Sequence, residues 1–169
     1  MKIRILFTLF VASLIPVEAT AETVTRILDG DTLEVRGEGK LVRVRLADID
    51  APEKSQPFGQ RAKQKLTQLV SNVDGVAVQP TGQDRYGRTI ARVYVKKCQP
   101  QCLAYYVNAE MVKSGLAWAY RYHEKATSEY MKALENEARA SKVGLWSVPG
   151  AVEPWRYRHN HNGPVKLNN

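Results

Sequence analysis

Hydrophobic and polar positions alternate from Leu41 to Ile49. Val42, Val44 and Leu46 fall on one face and Arg43 and Arg45 on the other, as in a half-buried strand. Thr23 to Arg36 has strand-forming composition broken by Asp29-Gly30, a turn signal, so the two stretches together predict a curled three-strand meander. The period then lengthens. From Pro57 to Val70, the residues Phe58, Ala62, Leu66, Leu69 and Val70 make the apolar stripe of a helix, with Pro57 near its first turn. Val76 to Gln79 and Thr89 to Val95 read as two further strands, joined by a polar loop holding Asp84 to Arg88. Cys102 to Ser114 fits a second helix closed by Gly115. Thr127 to Val143 fits a third, with Tyr130, Leu134 and Ala138 on one face and Gly144 as its stop. From about Pro149 the chain is polar and proline-bearing, which predicts a loosely held tail over 149–169.

Five short strands with a helix between the third and fourth predict an α+β fold, a five-stranded OB-type β-barrel with three α-helices. That order recurs in unrelated proteins, so it argues for a ligand-binding barrel and not for a particular chemistry. A length of 169 residues suits one domain with a real core, and 44% hydrophobic with 25% charged residues excludes wholesale disorder. The net charge of +8 favours polyanionic partners without selecting one.

The N-terminus narrows the picture. Met1-Lys2-Ile3-Arg4 is basic, Ile5 to Val17 is nearly all apolar, and Ala19-Thr20-Ala21 has the small-x-small pattern of a cleavage site. The apolar run falls short of the roughly 20 residues a membrane span needs. Residues 1–21 are therefore expected to be a signal peptide, leaving a basic mature domain over 22–148 and the tail, without a stable membrane anchor. The expected location is secreted or periplasmic. The two cysteines, Cys98 and Cys102, flank Gln99-Pro100-Gln101, and oxidising surroundings favour a disulfide between them. A zinc site would want four ligands, and no further Cys or His stands at suitable spacing.

Three stretches carry acid, base and arginine in an order that suits phosphodiester cleavage: Asp29-Gly30-Asp31-Thr32, Arg45 to Glu53, and Asp84 to Arg88. The first two offer hard oxygen ligands for a divalent cation. The second and third each add an arginine, which grips phosphate with two parallel hydrogen bonds. Taken alone, Asp29-Gly30-Asp31 is more simply a hairpin turn. An EF-hand is excluded, because the twelfth position counted from Asp29 is Lys40 and not glutamate.

In this order and at this spacing the three stretches resemble the thermonuclease family, the staphylococcal nuclease-like proteins. The resemblance runs from about Val24 to Trp146 and includes Gln56-Pro57-Phe58-Gly59, Val107-Asn108, Gly115-Leu116-Ala117 and Gly144-Leu145-Trp146. It implies that Asp31 and Asp50 are carboxylate ligands of a calcium ion (Ca2+), with the backbone carbonyl of Ala51 a further ligand. It implies phosphate binding by Arg45 and Arg88, and a general-base or water-orienting role for Glu53. Tyr86, Tyr120 and Tyr122 correspond to tyrosines lining the family's nucleotide pocket, and the alternation in Trp118 to Tyr122 would direct the last two alike. Asp48 replaces a residue that relatives often have as glycine or an apolar side chain, and it receives no role. His159-Asn160-His161 lies in the tail without a ββα-metal pattern and also receives none.

The implied function is an exported, calcium-dependent, monomeric endonuclease acting on DNA and RNA with little sequence preference and leaving 3′-phosphate ends. The alternative is a non-catalytic nucleic-acid-binding OB-fold module. Such a module would have lost one or more of Asp31, Arg45, Asp50, Glu53 and Arg88, and all are present.

Overall fold

The computed structural model of the chain describes residues 22–162, so the expected signal peptide lies outside the described residues. The meander is there. β1 (Thr23–Ile27) pairs antiparallel with β2 (Thr32–Gly37), and β2 with β3 (Lys40–Leu46), which sets Thr32 opposite Arg45. Glu38 and Gly39 both take positive φ in the two-residue turn between β2 and β3, the geometry whose twist matches the flanking strands. Along β3, Val44 and Leu46 are buried, while Val42 lies at the open end of the strand.

After Leu46 the chain kinks at Asp48, which has φ 62, and the short β4 (Ile49–Asp50) leaves the sheet. Helix α1 (Gly59–Val70) comes next, burying Ala62, Leu66 and Val70. β5 (Gly75–Gln83) and β6 (Thr89–Cys98) form the longest ladder, and β3 pairs parallel with the start of β6. β7 (Cys102–Tyr106) pairs with the end of β6, so β3 and β7 share the edge of β6 that faces away from β5. Helix α2 (Val107–Lys113) continues directly from β7.

Three short strands lie beyond it: β8 (Trp118–Ala119), β9 (Arg121–Tyr122) and β10 (Lys125–Ala126). β8 pairs with β4, and β9 with β10. Helix α3 (Glu129–Ala140) is capped by Ser128, whose hydroxyl accepts from the Met131 N–H, and a 3-10 turn (Gly144–Ser147) precedes helix α4 (Pro154–Asn162). Among the described residues, none of these helices is long and apolar enough to cross a membrane.

The α+β class stands, with corrections of detail. The main sheet has six strands and not five, and there are four α-helices and not three among the described residues. The sheet is not a closed barrel: between its outer strands the only bridge among the described residues is Glu22 with Val76, beside which the Glu22 carboxylate accepts the Val78 N–H. Cys102 to Tyr106 is strand, not the start of a helix, because the Cys98–Cys102 disulfide turns β7 straight back along β6. The stretch after Pro149, expected to be loosely held, carries α4.

Two buried polar side chains tie sheet to helices. Asn108, fully buried at the start of α2, accepts from the Val93 N–H at 3.0 Å and donates to the Ala47 and Ala91 carbonyls at 3.0 and 3.1 Å. It thus fixes the bend after β3 against β6. Glu135 of α3 accepts the Ala119 N–H at 2.8 Å and is bridged by Arg121 at 3.0 Å and Arg139 at 2.7 Å. Burial alone would raise its carboxyl, but the Arg121, Ala119 and Arg139 bonds outweigh burial and hold it below the ordinary glutamate range. A depressed folded value means that the stabilisation is present at neutral pH and lost as pH falls through that value. Glu135→Ala should therefore lower unfolding free energy by about 3 kcal/mol at pH 7, the lower end for breaking a buried pair, since both arginines reach water. Chemical denaturation at pH 7 and in acid checks this, with the difference shrinking in acid.

Candidate active site

The turn between β1 and β2 builds the first wall of the site. Asp29 Oδ1 accepts the Asp31 N–H at 3.1 Å, and Leu28 N donates to the Thr32 carbonyl at 2.9 Å. A Cβ on Gly30 would stand 2.7 Å from the Ala62 Cβ and 2.8 Å from that of Ala51, so glycine lets the turn lie directly on α1 and the segment after β4. The hairpin reading and the functional one are thus the same feature. Asp31 comes out of this turn nearly buried, held by Thr32 Oγ1 at 2.9 Å and by the Ala51 N–H at 3.1 Å.

β4 supplies the second wall. Its pairing with β8 sets Asp50 opposite Trp118 and leaves Asp50 1% exposed. Arg45 Nη2 reaches Asp50 Oδ1 at 2.9 Å and Asp31 Oδ2 at 3.4 Å, so both carboxylates converge on one nitrogen. Arg45 Nη1 donates to the Ile49 carbonyl at 3.1 Å, and the guanidinium lies 5.7 Å from the Tyr120 ring centre. Burial opposes the Arg45 charge, yet Asp31 and Asp50 outweigh burial and hold it above its ordinary value.

Glu53 is set by the approach to α1. Gln56 accepts the Glu53 N–H at 3.1 Å and returns its own N–H to the Glu53 carbonyl at 2.9 Å. A Cβ on Gly59 would stand 2.0 Å from that same carbonyl, so only glycine permits the helix to start there. The loop between β5 and β6, which also lines the cavity, is organised by Asp84, whose Oδ1 accepts the Tyr86 and Arg88 N–H groups at 2.9 and 3.0 Å. Its Oδ2 holds Arg88 Nε at 2.7 Å, and Arg88 Nη1 reaches Thr32 Oγ1 at 3.5 Å. Desolvation would raise Asp84, but the Arg88 bonds outweigh it and keep this carboxyl below its usual range.

These groups line one cavity of about 1160 Å³, which Asp31, Arg45, Asp50, Ala51, Glu53, Tyr86, Arg88 and Tyr120 all face. Tyr86 is 69% exposed at its rim, below the Arg85 and Arg88 guanidiniums. Tyr122 does not line it. β8 and β9 are separate strands interrupted at Tyr120, so the alternation does not carry through, and Tyr122 packs on His123 instead. Asp48 ties the cavity wall to the segment between β8 and α3, accepting from Thr127 Oγ1 at 3.1 Å through its side chain and from the Tyr120 N–H at 2.9 Å through its carbonyl.

The donor set suits a hard divalent cation. Asp31 and Asp50 are close enough to share a guanidinium nitrogen, and Ala51 lines the cavity beside them. Among the described residues no cluster of three or more Asp, Glu, His or Cys is assembled, so such an ion would rely on backbone, water or substrate oxygens for its remaining ligands. Burial and neighbouring negative charge both oppose ionisation here. Burial first, then the Asp31 charge, pushes Asp29 up to about 6, and burial likewise raises Asp50 against the opposing pull of Arg158 and Arg45.

Arg158 of α4 is the residue sequence reasoning missed. Its Nη2 lies 2.7 Å from Asp50 Oδ2 and its Nη1 2.7 Å from Glu53 Oε1. The available signal was Pro154 followed by Trp155-Arg156-Tyr157-Arg158, a proline in the first helical position ahead of arginines at alternate places.

Residues 43–148 match the family described as Staphylococcal nuclease homologue. Protein ParB of Escherichia coli is 50% identical over 145 residues, covering 82% of this chain and 79% of its own. Micrococcal nuclease of Shigella flexneri is 50% identical over 137 residues, covering 80% and 78% respectively. An uncharacterized endonuclease of Haemophilus influenzae is 45% identical over 136 residues, covering 80% and 71%. With the converging carboxylates, paired arginines and cavity already placed by these same segments, the chain belongs to the staphylococcal nuclease homologue family of phosphodiester-hydrolysing enzymes.

Proposed function

We propose that the chain is an exported, calcium-dependent endonuclease that hydrolyses DNA and RNA with little sequence preference and leaves 3′-phosphate ends. The observation that carries this reading is the convergence of Asp31 and Asp50 on Arg45, in one cavity with Glu53 and Arg88. Export rests on the sequence pattern of residues 1–21 alone. A calcium ion, when bound by Asp31, Asp50 and the Ala51 carbonyl, supplies positive charge beside the substrate phosphate.

The chain's own residues account for the rest. Arg45 of β3 and Arg88 of the loop between β5 and β6 grip the phosphate. Their donors gain strength as charge accumulates on the phosphoryl oxygens, so they stabilise the transition state more than the ground state. Glu53, fixed by Gln56 and Gly59, orients water for in-line attack and accepts its proton. Tyr86 and Tyr120 offer aromatic faces on which any base stacks, which accounts for low sequence preference.

Purified protein incubated with plasmid DNA or RNA should cut both with calcium and neither with excess chelator. The new 3′ ends should accept a nucleotide only after phosphatase treatment. Undiminished cleavage in chelator, or none with calcium, overturns the reading. Glu53→Gln should reduce turnover by about 10²- to 10⁴-fold, the usual range for a general base, with calcium and DNA affinity retained. Parental turnover would remove Glu53 from this role. Arg45→Lys keeps the charge but loses the planar fork, and single-turnover rates should fall by roughly 10²-fold or more. A rate near that of the parent would mean that Arg45 does not hold the phosphate.

A further inference from the structure

We propose that helix α4 is an intramolecular latch: Arg158 occupies the carboxylates that a divalent cation needs, so loading of the site and release of α4 are coupled. The proposal rests on the calcium-dependent reading given above. Its geometric basis is that the Arg158 guanidinium saturates this side of the cluster. Nη2 donates to Asp50 Oδ2 at 2.7 Å, while Nη1 is 3.2 Å from Asp50 Oδ1 and 2.7 Å from Glu53 Oε1. Arg45 already takes Asp50 Oδ1 at 2.9 Å. Both oxygens of Asp50 are therefore engaged by guanidinium groups, and the carboxylate assigned to water is engaged with them.

Repulsion between like charges sets the coupling. A divalent cation on Asp50 would sit within a few Å of Arg158, where like charges repel strongly because a protein surface screens them less than bulk water does. One of the two arginines must move. Arg45 stands in β3, its side chain 14% exposed and anchored to the Ile49 carbonyl. Arg158 is 37% exposed on the terminal helix.

α4 is also built to let go. Its residues Trp155 to Asn160 are all half-buried or exposed, and the buried residue on it with a described side chain is Pro154. The segment is seated by polar contacts: Gln56 Nε2 to the Val152 carbonyl at 2.6 Å, the Tyr157 hydroxyl to Ser55 Oγ at 3.2 Å, and Trp155 against Arg121 at 5.4 Å. Among its described side chains no broad apolar face fastens it, and its shortest charged contacts are the ion pairs at the site itself. A guanidinium on Glu53 also blocks that carboxylate from taking a proton from water, so the latched state is an inactive one. Displacement of Arg158 frees Asp50 and Glu53 together.

Calorimetric titration with calcium chloride tests this, using the parent, Arg158→Ala, Arg158→Gln and, as a control on the same helix, Arg156→Ala. Thermal melts verify that each is folded. Both Arg158 variants should bind calcium about tenfold more tightly than the parent, with Arg156→Ala unchanged. Hydrogen–deuterium exchange of residues 153–162 in the parent should accelerate when calcium is added. Equal or weaker affinity in both Arg158 variants overturns the latch, as does an equal gain in Arg156→Ala, which would reduce the effect to net charge. Unchanged or slowed exchange in α4 overturns it too. Those failures leave the calcium-dependent reading intact, whereas absence of calcium binding in every protein overturns that reading and the latch with it.

Discussion

A carboxylate buried as deeply as Asp50 is a constraint before it is a catalytic asset. Removing an ion from water costs on the order of several kcal/mol, and only well-placed opposite charge offsets that. β4 holds Asp50 opposite Trp118 of β8 with 1% exposure, and the carboxylate sits beside Asp31, which compounds the cost. The surrounding architecture answers that constraint. Arg45 rises from β3 to bridge both acids, and its own burial is tolerable only because they are there. A site that holds acids against desolvation and mutual repulsion is one that binds cations.

The fold contributes by fixing positions that would otherwise drift. Asn108 satisfies three backbone groups and so ties the bend before β4 to β6, and Glu135 accepts the Ala119 N–H of the strand that pairs with β4. Gly30 and Gly59 remove the Cβ atoms that would push the Asp31 turn and the Glu53 carbonyl away from their packing partners. The acids thus stand on a backbone locked from several directions, and the arginines on a strand and on a loop ordered by Asp84. Pre-organisation of this kind is where the rate advantage of an electrostatic site originates.

How much of this was legible in the sequence depended on how local each signal is. The β2–β3 hairpin and the stripe of α1 arise from periodicity within a dozen residues, and the acid and arginine motifs occupy short segments whose chemistry is visible in their letters. β7 was not legible as a strand. Leu103 and Ala104 are good helix formers, and the disulfide that folds the chain back at Cys102 acts through pairing with β6, a non-local effect. Tyr122 was expected beside Tyr120 because alternation assumes an unbroken strand, and the break lies between β8 and β9. α4 was invisible for a related reason: it has no apolar stripe, so periodicity carries no information about it. Its docking depends on the site, which sequence patterning does not represent.

The acid cluster and the arginine that covers it have a common physical origin. Two guanidiniums face three carboxylates around Asp50, a balance that leaves one negative charge in surplus. Introducing a doubly charged ion reverses the sign of the surplus, and departure of one arginine then brings it to zero. Charge balance thereby orders the events: a held arginine keeps the acids stable without metal, the metal makes that arginine superfluous there, and its departure leaves a neutral cluster with Arg45 and Arg88 still in place to meet an anionic substrate. Arg45 and Arg88 stay in place throughout because strand and loop fix them. Arg158 can respond because it stands on a short polar helix whose described side chains, Pro154 apart, are half-buried or exposed.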